Sequence, residues 1–228
     1  MKVTWLTQSG LYFENSKIKI LVDPYLTDSI GEKNEKKKRK AAPDESFFDL
    51  KPDVILITHD HPDHLDLKTL ERFLTSDRAV TVLASESAYK KLSELGGGHN
   101  YVLIAPHSVW SESGVTFYAT RAEHSDRTAV GFIIDDGKAT YYVSGDTLYN
   151  YEVIDDVLDL VEDGVDYAFL PINGKENNMN AKDAADFAYE IGAKAAIPVN
   201  YGLFDCVDPS EFDFEDAIIL EPYKETKL

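Results

Sequence analysis

Short runs of β-branched and aromatic residues, bounded by clusters of Gly, Pro, Asn and Asp, dominate the hydrophobic pattern of this chain. That pattern predicts strands. Residues 3–13 and 17–22 form the first two, with Glu14-Asn15-Ser16 as the turn between them. Asp23-Pro24 ends the second, because proline cannot donate to a ladder. The uninterrupted Val54-Ile55-Leu56-Ile57, within 53–58, predicts a strand buried on both faces. Further strands are expected over 79–83, 101–104, 115–119, 129–134, 139–143, 167–170 and 195–199. Asp135-Asp136-Gly137 closes a hairpin between 129–134 and 139–143. Helices are expected over 67–74, 85–95, 152–161 and 181–191, the second and fourth stopped by Gly96-Gly97-Gly98 and Gly192. Residues 27–46 show no period and predict a long loop, which at that length is functional or partly disordered.

Two β-rich halves, each followed by helices, imply an α/β (α+β) arrangement of two sheets packed face to face with helices outside. No internal repeat, low-complexity tract or linker interrupts residues 1–228, so a single domain is expected.

Composition changes this picture in two places. The formal net charge of −18 argues against nucleic acid, which requires a basic face, and against an anionic membrane surface. Lys33, Lys36, Lys37, Lys38, Arg39 and Lys40 run against that trend inside the long loop. They read either as a solvated loop or as a mobile flap that attracts an anionic small molecule. Cys206 is the only cysteine, so no intrachain disulfide is available. No apolar run approaches the roughly 20 residues of a membrane span, and the N-terminus lacks a signal-peptide pattern. A cytoplasmic protein is expected.

The chemistry concentrates directly after the buried strand, in Thr58-His59-Asp60-His61-Pro62-Asp63-His64. Alternation along an extended chain puts His59 and His61 on one side, where both imidazoles can reach one ion. Asp63 and His64 follow where the chain turns at Pro62 and could face a second ion. His124 and Asp146 lie beyond two other predicted strands, and Gly145 lets the backbone turn tightly before Asp146. Taken alone, Asp146 also reads as a cap for a helix starting at Thr147. His99 and His107 lack strand-end placement and are assigned to the surface.

These segments resemble the metallo-β-lactamase superfamily. The likeness spans nearly the whole chain: Asp23-Pro24-Tyr25, the histidine motif, His124, Gly145-Asp146-Thr147 and Ile197-Pro198-Val199. It implies a four-layer αββα sandwich. By the same resemblance His59, His61 and His124 hold a first metal, Asp63 and His64 a second, and Asp146 bridges them. Manganese or zinc is the metal the resemblance implies. Where the family usually ends the second site with a histidine, this chain has Asn200. An amide oxygen is a weaker donor than imidazole, so the second ion is held less tightly, is a harder ion such as manganese, or is absent.

Leu170-Pro171-Ile172-Asn173-Gly174-Lys175, the stretch 178–185 and Ile197–Phe204 are similar to the branch that includes L-ascorbate-6-phosphate lactonases. That branch usually continues with an arginine and an aspartate where Lys175-Glu176 stand here, and lysine lacks the bidentate fork that suits phosphate. The activity implied is hydrolysis of a lactone or ester by hydroxide held on a metal, whose bound water ionises near pH 7 rather than 15.7. Asp63 is the expected proton shuttle, and Asn173, Lys175 and Tyr201 the expected contacts to a small, anionic substrate. The resemblance permits homo-oligomers. A phosphodiesterase or thioesterase of the same superfamily, or a degenerate member that only binds metal or ligand, are the alternatives.

Overall fold

In the computed structural model, which describes residues 1–161 and 163–228, two sheets lie face to face. The first runs in the order β13 (Glu225–Lys227), β1 (Lys2–Trp5), β2 (Leu11–Glu14), β3 (Lys19–Val22), β4 (Val54–Ile57), β5 (Thr81–Ala84), β6 (Asn100–Leu103). The second runs β12 (Ala195–Val199), β11 (Tyr167–Pro171), β10 (Thr140–Val143), β9 (Val130–Asp135), β8 (Val115–Arg121), β7 (Val109–Glu112). Both are mixed. Strands β3 to β6 are parallel, as are β10 to β12, and the remaining pairs are antiparallel. Helices α1 (Leu67–Phe73) and α2 (Glu86–Leu92) cover the first sheet, and α3 (Tyr151–Leu160) and α4 (Ala181–Glu190) the second. The order is helix, sheet, sheet, helix, as expected.

Burial explains the sequence pattern. Val54 and Leu56 of β4 join the core between the sheets, while Ile55 and Ile57 face α1 and α2 beside Leu70, Phe73 and Ala88. A strand apolar on both faces cannot alternate, which is why its sequence runs unbroken. Ile20 and Val22 of β3 likewise face inward, with Leu21 toward the helices.

Three expectations need correction. Residues 3–13 are two strands, because Thr7 and Gln8 take positive φ (72° and 49°) and Leu6 N–H closes a tight turn on Gly10 O at 2.8 Å. Strands β7 and β13 had no counterpart in the pattern. Both are short edges: β13 is wholly polar, and β7 has only Val109 and Trp110 as apolar residues, of which Trp110 packs against the core. The basic stretch is neither fully solvated nor free. Arg39 is 8% exposed and donates to the carbonyls of Tyr25, Thr27 and Ala41 and to the hydroxyls of Thr7 and Tyr223, at 2.7–3.1 Å. It ties the loop to the β1–β2 turn, while Lys36, Lys37 and Lys38 stay exposed. Among the described residues no helix is long and apolar enough to cross a membrane.

Candidate metal centre

Strands β1, β3, β4, β8, β10, β11 and β12 all end at the same rim of the sandwich, and the polar residues beyond those ends converge there. Two local features bring them together. The chain after β4 bends back at Pro62, where His64 N–H and Leu65 N–H both reach His61 O (3.0 and 2.8 Å). After β10, Gly145 sits at φ +62°, and a Cβ there would lie 2.8 Å from Thr58 Cβ. Only glycine lets the Asp146 loop come this close to the histidine segment. Asp146 caps no helix: α3 begins later, with Asn150 as its cap.

His59, His61, His124 and Asp146 come together with one ligand atom from each within 4.8 Å of the others. His61 Nδ1 and His124 Nε2 lie 3.1 Å apart, and Asp146 Oδ2 is 4.0 Å from both His59 Nε2 and His124 Nε2. Donors around a tetrahedral ion with bonds of 2.0–2.1 Å are about 3.3 Å apart, so the spacing suits one divalent ion. His59 Nε2 is fully buried and has no protein partner, which is costly unless something else accepts its lone pair. Burial lowers the pKa of His59 well below the usual histidine range, and burial also lowers that of His124. Neutral imidazoles are the form a metal requires.

The opposite ring nitrogens are tethered. Asp23 accepts the Thr58 backbone N–H at 2.8 Å and the Thr58 hydroxyl, whose oxygen in turn lies 3.0 Å from His59 Nδ1. His124 Nδ1 faces Asn177 O at 3.2 Å. Such contacts fix which nitrogen points at the ion.

The other expected ligands are placed differently. His64 is fully buried, with Nδ1 2.8 Å from Asp23 Oδ2 and Nε2 3.2 Å from Asp146 Oδ1. Burial opposes its charged form, yet Asp146, Asp23 and Asp63 outweigh this and hold its pKa well above the usual range. Burial would raise the Asp146 carboxyl, but His64 overrides it and keeps the group ionised. Asp63 lies at the mouth, its side chain 16% exposed, with Oδ2 accepting from Gln8 Nε2 at 3.0 Å. Asn200, at φ +55° and fully buried, donates from Nδ2 to Asp146 Oδ1 and accepts from Gln8 Nε2 on Oδ1. Asn200 N–H also reaches Gln8 O at 2.9 Å.

Of the expected substrate contacts, Asn173 is half-buried, with Nδ2 3.4 Å from Asn200 Oδ1, and Lys175 is exposed. Tyr201 differs: its ring is buried and stacks on Trp5 (centroids 4.9 Å apart), whose indole N–H donates to Gln8 O at 2.7 Å. It supports the Gln8 turn from below. His107 is exposed and pairs with Asp156 at 3.2 Å, whereas His99 is half-buried rather than on the surface.

Sequence reasoning missed Gln8, Asp23 as an anchor, and Asn178. The amide of Asn178 is buried and contributes to keeping Asp146 ionised. The polar cluster Thr7-Gln8-Ser9-Gly10 was the available signal for Gln8. The apolar residues on either side masked it.

A model of the beta-lactamase superfamily domain matches residues 19–201. A UPF0173 metal-dependent hydrolase of Thermoplasma volcanium is 30% identical over 224 residues, covering 93% of this chain and 89% of the relative. Its counterpart in Thermoplasma acidophilum is 33% identical over 206 residues, covering 85% and 81%. Among solved structures, Igni18, a metallo hydrolase of the archaeon Ignicoccus hospitalis, superposes with a TM-score of 0.79 at 22% identity and covers 99% of this chain and 97% of its own. An isothiocyanate hydrolase from Delia radicum gut bacteria gives 0.78 at 17% identity, covering 100% and 99%, a likeness of fold alone. The domain match embraces every strand end that carries a histidine of the cluster, and the chain belongs to the metallo-β-lactamase superfamily.

Proposed function

We propose that the protein is a metal-dependent hydrolase that opens an ester or lactone in a small anionic substrate, with His59, His61, His124 and Asp146 holding a divalent ion. The observation that carries this reading is the buried, unpartnered Nε2 of His59, grouped with donor atoms of His61, His124 and Asp146. Three nitrogen donors and one carboxylate favour zinc, with manganese as the harder alternative. An ion bound there supplies Lewis acidity and lowers the pKa of water to about 7.

The chain's own residues do the rest. Gln8 holds Asp63 through Oδ2, leaving Oδ1 to take the proton of the attacking water. The water oxygen bonds to the carbonyl carbon, the acyl C–O bond breaks, and the proton passes to the departing alkoxide. Charge at the mouth selects the substrate. Lys37 pairs with Glu176 at 2.8 Å and lies in the field of Asp63, and Lys175 sits on the same loop as Glu176. Glu176 and Asn177 both hold positive φ (55° and 65°), backbone strain of a kind that clusters at functional sites. In a chain of net charge −18, two lysines at this rim draw anionic esters toward the ion.

The test is a panel of lactones, carboxylic esters, thioesters and phosphodiesters, each in neutral and anionic forms, assayed with zinc- and manganese-loaded protein. Turnover of lactones or esters supports the reading, whereas turnover of phosphodiesters alone overturns the substrate class. Lys37→Glu combined with Lys175→Glu should raise KM for an anionic ester about tenfold while leaving kcat and neutral esters unchanged. An equal loss on both substrates would remove the two lysines from substrate recognition.

A further inference from the structure

We infer that Gln8 and Asn200 form an amide clasp that closes the second metal position, so that the centre holds one ion. The inference rests on the hydrolase reading only in taking the His59, His61, His124 and Asp146 group as an ion site. The second ion implied by the superfamily resemblance needs lone pairs from Asp63, His64, Asp146 and the residue at position 200. Asp63 keeps only Oδ1 free, while Asp63 Oδ2, His64, Asp146 Oδ1 and Asn200 Oδ1 are all engaged within the protein.

Asp63 Oδ2 takes an N–H from Gln8 Nε2 at 3.0 Å, and Asp146 Oδ1 takes one from Asn200 Nδ2. The amides are joined to each other, Gln8 Nε2 donating to Asn200 Oδ1. Carboxylates only accept, so both amides must turn their NH2 groups toward them. Asn200 Oδ1 is then the remaining acceptor for Gln8, and the network fixes both orientations. Reversing either amide would set a carbonyl oxygen against a carboxylate oxygen. The N–H groups therefore meet the two carboxylates where a second cation would, and they offer it no lone pair. His64 is equally committed, between Asp23 at 2.8 Å and Asp146 at 3.2 Å.

The clasp is also rigid. Gln8 and Asn200 are 3% and 0% exposed, so neither can swing into solvent. The Gln8 backbone is held at φ 49° in its turn, and its carbonyl accepts from both the Trp5 indole and Asn200 N–H. Gln8 Oε1 is left buried and without a partner. Serving the carboxylates thus takes precedence over satisfying its own carbonyl. Asp63, not neutralised by a second ion, is left free for proton transfer.

The experiment counts metal. Chelator-stripped protein is saturated with Zn²⁺ or Mn²⁺, freed of excess by gel filtration, and analysed for elemental content. Wild type is expected to retain one equivalent. Gln8→His with Asn200→His, which replaces both amides by imidazoles, is expected to retain two, as is the more conservative Asn200→Asp. Circular dichroism establishes that each variant is folded. Two equivalents in wild type would overturn the clasp and leave the hydrolase reading standing. One equivalent in both folded variants would show that the amides are not what excludes the second ion, and would also overturn it. No metal in wild type would overturn the hydrolase reading itself, and the clasp with it. The wild-type count decides even if the double variant fails to fold.

Discussion

His61→Ala is expected to lower the hydrolytic rate by at least ~10³-fold and to weaken zinc retention, with little change in thermal stability. His61 is the right member of the cluster to remove because it is only half-buried, whereas His59 and His64 are fully enclosed. Its ring contacts are with His124 Nε2 at 3.1 Å, Ser125 at 3.5 Å and the His59 ring, centroids 4.7 Å apart, all at the site itself. No core packing is lost with it. The check is paired: steady-state turnover on the best ester from the panel, and melting temperature of the metal-free protein. A variant that keeps its fold and its turnover would remove His61 from the centre.

Asp23→Ala carries the largest expected effect on the fold, a loss of about 3–5 kcal/mol in unfolding free energy. Asp23 is fully buried and is the acceptor for Thr58 N–H, the Thr58 hydroxyl and His64 Nδ1. Truncation strands three donors in the interior, one of them on an imidazole whose charge depends on the carboxylates around it. Metal affinity should fall as well, by about 10- to 100-fold, because Thr58 no longer orients His59. Urea unfolding of the metal-free variant separates the two consequences. A loss below about 1 kcal/mol would mean that water replaces the carboxylate and that the anchor is dispensable.

How much of this was legible in the sequence depends on distance along the chain. The ligand-type residues crowded into 59–64 stand out, since such close spacing after an unbroken apolar strand has little structural explanation. His124 and Asp146 were found through their position beyond predicted strands, and Gly145 through the tight turn it allows. Asp23 was visible only as the end of a strand. Its role requires β3 and β4 to be parallel neighbours, which no local pattern states. Gln8 was hidden inside a stretch taken for one strand, and its meaning appears only when position 200 is brought beside it from the far end of the chain. Arg39 was lost in a run of lysines. Charge runs read as solvated, and burial of one member depends on carbonyls that converge only in three dimensions. The edge strands β7 and β13 are too short to show the apolar alternation that marks strands: β13 is wholly polar, and β7 sends only Trp110 against the core.

The most direct measurement is X-ray absorption at the zinc edge of protein loaded with one equivalent of Zn²⁺. Three imidazole nitrogens with oxygen donors from Asp146 and solvent at about 2.0–2.1 Å are the predicted shell, falling to two imidazoles in His61→Ala. A shell of oxygen donors without imidazole scattering, or one unchanged by His61→Ala, would contradict a metal centre built from His59, His61, His124 and Asp146.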